Sequence, residues 1–435
     1  MKRLQALGSV AAAALVAVSG CQQALPTAED EDLIPVEVTT LEVRIPFEDF
    51  IASSDVYGGF GRASELGTGF IASGFGDSLQ AATLLRFGRY PEFATVVDTL
   101  GTSRPDSALT FLSGRIVARF DTAGSVLSGP VQVTAHALTE AWDGVTATWQ
   151  SAVDSSGALV PWSVPGGGAV EAIGSTLWDP ADGDSLVIAV DSARLSNWAD
   201  TLDFARGVRL TTTAPGTRLQ LTSALLWLDA LPSINPDTII EVLADNEALT
   251  FIYDPLPPPP PDGLRVGGAP AWRSILELAV PTELNGPPEL CAVVGCPAAV
   301  TEAAVSFAAL RLTSRATLPA FAPSDTLSMD LRMVLAPELL PKSPLGPSQV
   351  GLFGEILPPE PFSTEPGTVI ELPVTRLIRS LIRGETLGGD PVSPTVALLS
   401  QFEPLSLEFV EFEGPGSANA PELRIIFSFS NGIGG

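Results

Sequence analysis

The stretch VQVTAHAL at residues 131–138 decides the fold class. Val131, Val133, Ala135 and Ala137 alternate with Gln132, Thr134 and His136. That is the period of a strand with one buried and one wet face. Working outward, similar short runs occur at 36–45, 83–87, 115–120, 186–190, 207–212 and 218–228. Between them the chain is broken by Gly and Pro, 40 and 39 of them, too many for long helices. Many short strands at fairly even spacing predict an all-β protein built from antiparallel β-sandwiches.

Residues 255–261 form a proline-rich run with Leu256 inside it. Such a run cannot pair as a central strand and tends to a stiff extended form. It divides the chain into residues 36–254 and 264–431, with 255–263 as linker. The second part reads as a diverged copy of the first. GDSLVIAVD (183–191) lies on GTVIELPVT (367–375), and RLQLT (218–222) lies on ELRII (422–426). Upstream, RIVAR (115–119) lies on AALRL (308–312). The expectation is two jelly-roll-like sandwich domains in tandem, each with a short helix. In the second, PVTRLIRSLIRG (373–384) has Pro near the start and Gly at the end, as helix termini prefer. Leu377, Ile378, Leu381 and Ile382 share one face. Arg376, Arg379 and Arg383 share another, either as a solvated cap or as a grip for an anion.

The N-terminus has its own logic. Lys2 and Arg3 precede a short apolar stretch, residues 7–18, too short to remain as a membrane span. This is the layout of a secretory signal peptide. Its exit, Val18-Ser19-Gly20-Cys21, resembles the bacterial lipobox. The resemblance implies cleavage before Cys21, with 1–20 removed, and a lipid anchor on that cysteine. An ordinary signal with an incidental cysteine is the alternative. Gln22, where an Asp would tend to retain a lipoprotein at the inner membrane, favours the outer membrane. Residues 21–35, with Glu29, Asp30, Glu31 and Asp32 between Pro26 and Pro35, read as a solvated acidic tether.

The chain of 435 residues carries 23 basic and 50 acidic side chains, a net charge of −27. A surface this negative repels nucleic acid and anionic headgroups. The remaining cysteines, Cys291 and Cys296, have only each other in an oxidising compartment and read as a disulfide. Half of a metal site is the alternative.

Raw material for catalysis is thin. His136 is the single histidine, and Lys2 and Lys342 are the lysines. A Ser-His-Asp triad or a histidine zinc site has little to draw on. Glu140 and Asp143, flanking Trp142, are the first suspects for a carboxylate pair, which is all glycoside hydrolysis requires. Asp179, Asp182 and Asp184 gather beside Gly183 and offer the oxygen ligands calcium takes, or they form a solvated turn. No other cofactor is suggested.

The stretch 131–225 carries a further pattern: VQVTAHAL, then Glu140-Ala141-Trp142, VTATW (145–149), WSVPGG (162–167), LVIAVD (186–191), Asn197-Trp198 and GVRL (207–210). It resembles the DNRLRE-type β-sandwich modules of secreted proteins, some of which are classed as carbohydrate-binding modules. The resemblance implies a non-catalytic binding or adhesion role, with polysaccharide as the ligand class. A structural envelope protein that contacts other proteins is the rival reading, and a hydrolase or lyase a third. In the second part a proline-rich stretch, 337–366, stands where the tryptophans would be. Exposed indoles hold sugar faces, whereas buried ones anchor sandwich cores. Trp142 and Trp149 fall at structural motif positions. Trp162 and Trp178, in the loop-rich part, are the expected platforms.

Overall fold

The computed structural model describes residues 38–60, 67–155, 157–285, 288, 291, 292, 295–386, 388–403 and 405–430. The expected signal peptide, Cys21 and the acidic tether lie outside the described residues. Glu42–Phe427 pack as one unit, and the described ends, 38–41 and 428–430, belong to another.

The alternation read from the sequence is realised in strand after strand. Val131–Leu138 buries Val131, Val133, Ala135 and Ala137 and turns Gln132 out. Ser185–Val190 buries every second residue: Leu186, Ile188 and Val190. These strands belong to a ten-stranded antiparallel sheet. Its path runs Val170–Trp178, Val131–Leu138, Val208–Thr212, Leu79–Phe87, Gly69–Phe75, Thr217–Pro232, Leu109–Val126 and Ser185–Val190. The two ends of the path meet, because Thr176 Oγ1 donates to the Val187 carbonyl at 2.8 Å. The sheet therefore curls around one interior, filled by Ile116, Val133, Trp178, Ile188, Leu210 and Leu226 among others. The architecture is all-β, as expected.

A second antiparallel sheet follows the path Val305–Arg315, Phe409–Glu413, Gly263–Gly267, Ala271–Leu278, Thr395–Ser400 and Leu327–Val334. Ile51–Phe60 also belongs here, paired along Ala271–Leu278 with Val56 opposite Ser274. The sequence boundary at residue 36 is thus not a sheet boundary. Periodicity identifies a strand but not its partner, and this partner lies more than two hundred residues away. The proline-rich run does separate strands of the two sheets, but it is not a bare spacer. The Pro258 carbonyl accepts from Arg265 at 2.6 Å, and the Pro261 carbonyl from Arg315 at 2.9 Å.

The two parts share a strand arrangement. Leu109–Val126 lies between Ser185–Val190 and Thr217–Pro232. Val305–Arg315 lies between Val369–Pro373 and Glu422–Ser430. Each flanking strand leads into a helix, Ser192–Trp198 and Thr375–Arg383. The register differs from the sequence alignment. Val187 and Glu371 align, yet they pair with Val117 and Arg311, one step from the predicted match of Val117 with Leu310. On the other flank Leu225 corresponds to Glu422, seven residues from the predicted match of Arg218 with Glu422. Faces explain the correction: Val117 and Arg311 both turn outward, whereas Leu310 is buried, and a one-residue slip would exchange the two faces.

Between the sheets lies a shared apolar cluster. Phe70, Ala72, Leu79 and Ala81 come from the first sheet, Phe251 and Tyr253 from Asn246–Asp254, and Phe321, Leu407 and Phe409 from the far side. Phe321 stacks on Phe409 at 5.2 Å, and Tyr253 meets Phe321 edge-on at 6.0 Å. Beside this cluster Arg218, 1% exposed, pairs with Glu408 at 2.6 Å. Ser324 donates its amide (3.0 Å) and hydroxyl (2.6 Å) to the same Glu408 oxygen. Gly76, at φ +53°, allows the chain to approach Ala320, where a Cβ would collide with backbone at 2.5 Å.

Glu408→Leu is expected to lower the unfolding free energy by about 3 kcal/mol in a urea titration, because Arg218 is left buried without its carboxylate. Adding Arg218→Met should recover most of that loss. A loss that the second substitution does not relieve would show that shape, rather than charge, holds the junction.

Candidate functional site

The expected platforms are not platforms. Trp162 is 4% exposed and Trp178 2%. Trp178 ends its strand opposite Val131, so it points into the sandwich, where it lies 4.5 Å from Phe120. Trp162 packs with Leu84, Trp142 and Ile252. Neither offers a ring face to a ligand. Trp142 is also buried, with its N–H donated to the Arg206 carbonyl at 3.2 Å and the Arg86 guanidinium 4.3 Å over its ring.

Glu140 and Asp143 hold loops. Glu140 accepts from the Ser163 hydroxyl, from the Ser163 amide at 2.9 Å and from the Ala169 amide at 2.6 Å. Burial works against its charge, but the hydrogen bonds from Ser163 and Ala169 outweigh it and keep the carboxyl below its usual range. It stays ionised near neutrality and is no reservoir of an acid proton. Asp143 caps its own turn through the amides of Thr146 and Val145, at 2.8 and 3.2 Å.

The calcium loop does not converge either. Asp179 accepts from the Ala181 amide at 2.9 Å, and Asp184 faces Arg119 at 3.1 Å. Among the described residues no group of three or more His, Cys, Asp or Glu side chains could hold a metal ion. Cys291 and Cys296 form the expected disulfide, with Cα atoms 4.9 Å apart.

The helix Thr375–Arg383 ends at a left-handed Gly384 and buries Leu377 and Ile378. Its arginines do not form an anion grip. Arg379 donates to the Val305 carbonyl at 2.8 Å, and Arg383 to Glu302 at 2.6 Å, leaving Arg376 as the exposed one. His136 is half-buried. Burial, with Arg209 nearby, lowers its pKa, so the imidazole is neutral at pH 7.

What these residues build is the support for a different tryptophan. The Trp162 N–H donates to the Thr148 carbonyl at 2.9 Å. The Gly166 amide donates to the Trp149 carbonyl at 2.7 Å. Gly166 has φ +88°, and a Cβ there would strike the Trp149 ring at 2.8 Å, so only glycine lets the ring sit so close. Glu140 pins the loop that carries Gly166. Trp149 is thus held by the Trp162–Gly168 loop, and it lines a cleft of about 400 Å³.

The cleft walls come from separate parts of the chain. Trp149, Gln150 and Asp154 form one wall, and Ile252, Tyr253 and Asp254 another. Leu256, from the proline-rich run and 65% exposed, and Ala269-Pro270 with Gly59 complete it. Burial pushes the Tyr253 phenol well above its usual range, against the nearby Arg265, so it stays a neutral hydroxyl. The volume, the aromatic walls and the few polar groups are those of a small-ligand site. Nothing in the local sequence distinguishes Trp149 from Trp162. The apolar Leu256 inside the proline run was the available hint.

No family of known proteins matches the sequence. No curated protein matches it either. Solved structures similar to this chain include the N-terminal CBM22-1-CBM22-2 tandem domain of Paenibacillus barcinonensis Xyn10C (8% identity, 87% of this chain and 100% of that one, TM-score 0.14). Others are the top component of cowpea mosaic virus (8%, 85% and 92%, 0.13) and the C-terminal domain of the Streptococcus pyogenes antigen I/II-family protein AspA (7%, 90% and 90%, 0.12). Likenesses this distant decide neither fold nor ligand. The expected DNRLRE kinship rests on the motif residues alone.

Trp178→Ala is expected to cost about 4 kcal/mol of stability in a denaturant titration. Trp149→Ala, at a partly buried position beside the Trp142–Trp162 cluster, should cost about 2 kcal/mol. Equal losses would mean that Trp149 is another core anchor.

Proposed function

We propose that this protein is an exported lipoprotein, cut before Cys21 and anchored through lipid on that cysteine to the cell envelope, at the outer membrane. Its two jelly-roll-like sandwich modules serve non-catalytic binding, and the ligand is a glycan seated in the Trp149 cleft. The observation that carries the binding role is this cleft. An indole braced from behind by Gly166 lines an open cavity together with a phenol, an amide and carboxylates. Apolar sugar faces stack on such rings, and hydroxyls bond the polar rim. The lipobox residues Val18 to Cys21 support the anchor. A non-catalytic role is supported by Glu140 and Asp143, which are spent on holding loops.

A second reading, contact with other envelope proteins, has its own support. The strand Glu355–Leu357 pairs with Leu327–Val334 at the sheet margin, and Leu352, Phe353, Ile356 and Phe402 are exposed around it. An apolar margin of this kind is a docking surface for another chain.

The test is a glycan-array screen of the chain expressed without residues 1–21, beside its Trp149→Ala variant. Selective binding that weakens about tenfold or more in the variant is expected. A folded protein that binds no glycan would transfer the assignment to protein contact.

The anchor has a separate test. Metabolic labelling with a radioactive fatty acid should mark the full chain, and Cys21→Ser should abolish both label and membrane association. A labelled Cys21→Ser protein would refute the anchor.

A further inference from the structure

Among the described residues the charged side chains that line the Trp149 cleft are carboxylates, Asp154 and Asp254. Among the described residues the Asp254 carboxylate has no hydrogen-bond or ion-pair partner, and the residue follows Tyr253 directly along the wall. Arg265, the cation that acts on Tyr253 of that wall, is already neutralised. Arg265 donates to Glu411 at 2.9 Å through Nε, and its guanidinium lies 4.3 Å from the Phe409 ring and 4.8 Å from the Trp272 ring.

An indole beside a carboxylate is a receptor for a cation. The ring faces present negative quadrupole charge, and the carboxylate supplies a charge-assisted hydrogen bond. The field of the rest of the chain acts in the same direction, since a net charge of −27 concentrates cations and drives off polyanions. A uronic-acid or sulfated glycan would meet repulsion both on approach and at the wall.

We infer that the ligand of this cleft is an amine-bearing glycan, a polymer or oligomer of hexosamine with free ammonium groups. One ammonium faces Asp254, and the apolar face of a sugar ring lies on Trp149. This inference rests on the glycan reading above and adds the charge of the sugar to it.

The experiment is calorimetric titration of the chain lacking residues 1–21 with three oligosaccharides of equal length. They are a glucosamine oligomer with free amines, its fully N-acetylated form and a neutral glucose oligomer. The amine form is expected to bind about tenfold or more tighter than the other two. Asp254→Asn should reduce that preference to less than about twofold, whatever it does to the affinity for the neutral oligomer, because the asparagine keeps the shape and loses the charge. Trp149→Ala should weaken all three.

Equal or tighter binding of the N-acetylated form would overturn the inference and leave the glycan reading standing. An amine preference that survives Asp254→Asn would also overturn it, since it would reflect diffuse attraction to an acidic surface. Absence of binding by all three, with the array screen also blank, would remove the glycan reading and this inference together.

Discussion

The packing of the first sheet against the second through one apolar cluster is the constraint on which the rest depends. Phe70, Phe251, Tyr253, Phe321 and Phe409 meet there, and the buried Arg218–Glu408 pair fixes which groups face each other. The two contributions differ in kind. Aromatic burial supplies non-directional stabilisation. The ion pair contributes little net free energy once desolvation is counted, but it strongly penalises any arrangement that separates its charges. The cleft depends on this alignment, because Trp149 and Tyr253 reach it from one side and Ala269-Pro270 from the other.

Local structure was largely legible in the sequence. Alternation identified Val131–Leu138, Ser185–Val190 and Val208–Thr212 to within a residue or so, and the Gly and Pro positions of 373–384 placed the helix Thr375–Arg383. These features are set by near neighbours: the period of exposed and buried positions, and the backbone freedom of Gly384. The disulfide was legible for a similar reason, since Cys291 and Cys296 had no other partner.

What failed depended on distance or on facing. Trp178 looked like a loop residue, but its pairing with Val131 fixes its ring inside the core. The strand order that the two parts share was read correctly, but its register was not. Chemical similarity alone had to choose between Val117–Leu310 and Val117–Arg311, and only strand pairing shows which residues turn the same way. The cleft was invisible for a simpler reason. Its walls are Gly59, Trp149, Tyr253 and Pro270, and nothing in a linear chain announces that those four positions converge.

The placement of Ile51–Phe60 against Ala271–Leu278 bears on how the chain folds. The chain enters the fold in the sheet to which it later returns, with the ten-stranded sheet formed by the residues in between. Ser53 ties the two strands further with a 2.9 Å bond to Glu277. Pairing these two strands joins residues more than two hundred positions apart, and contacts of such long sequence separation slow folding.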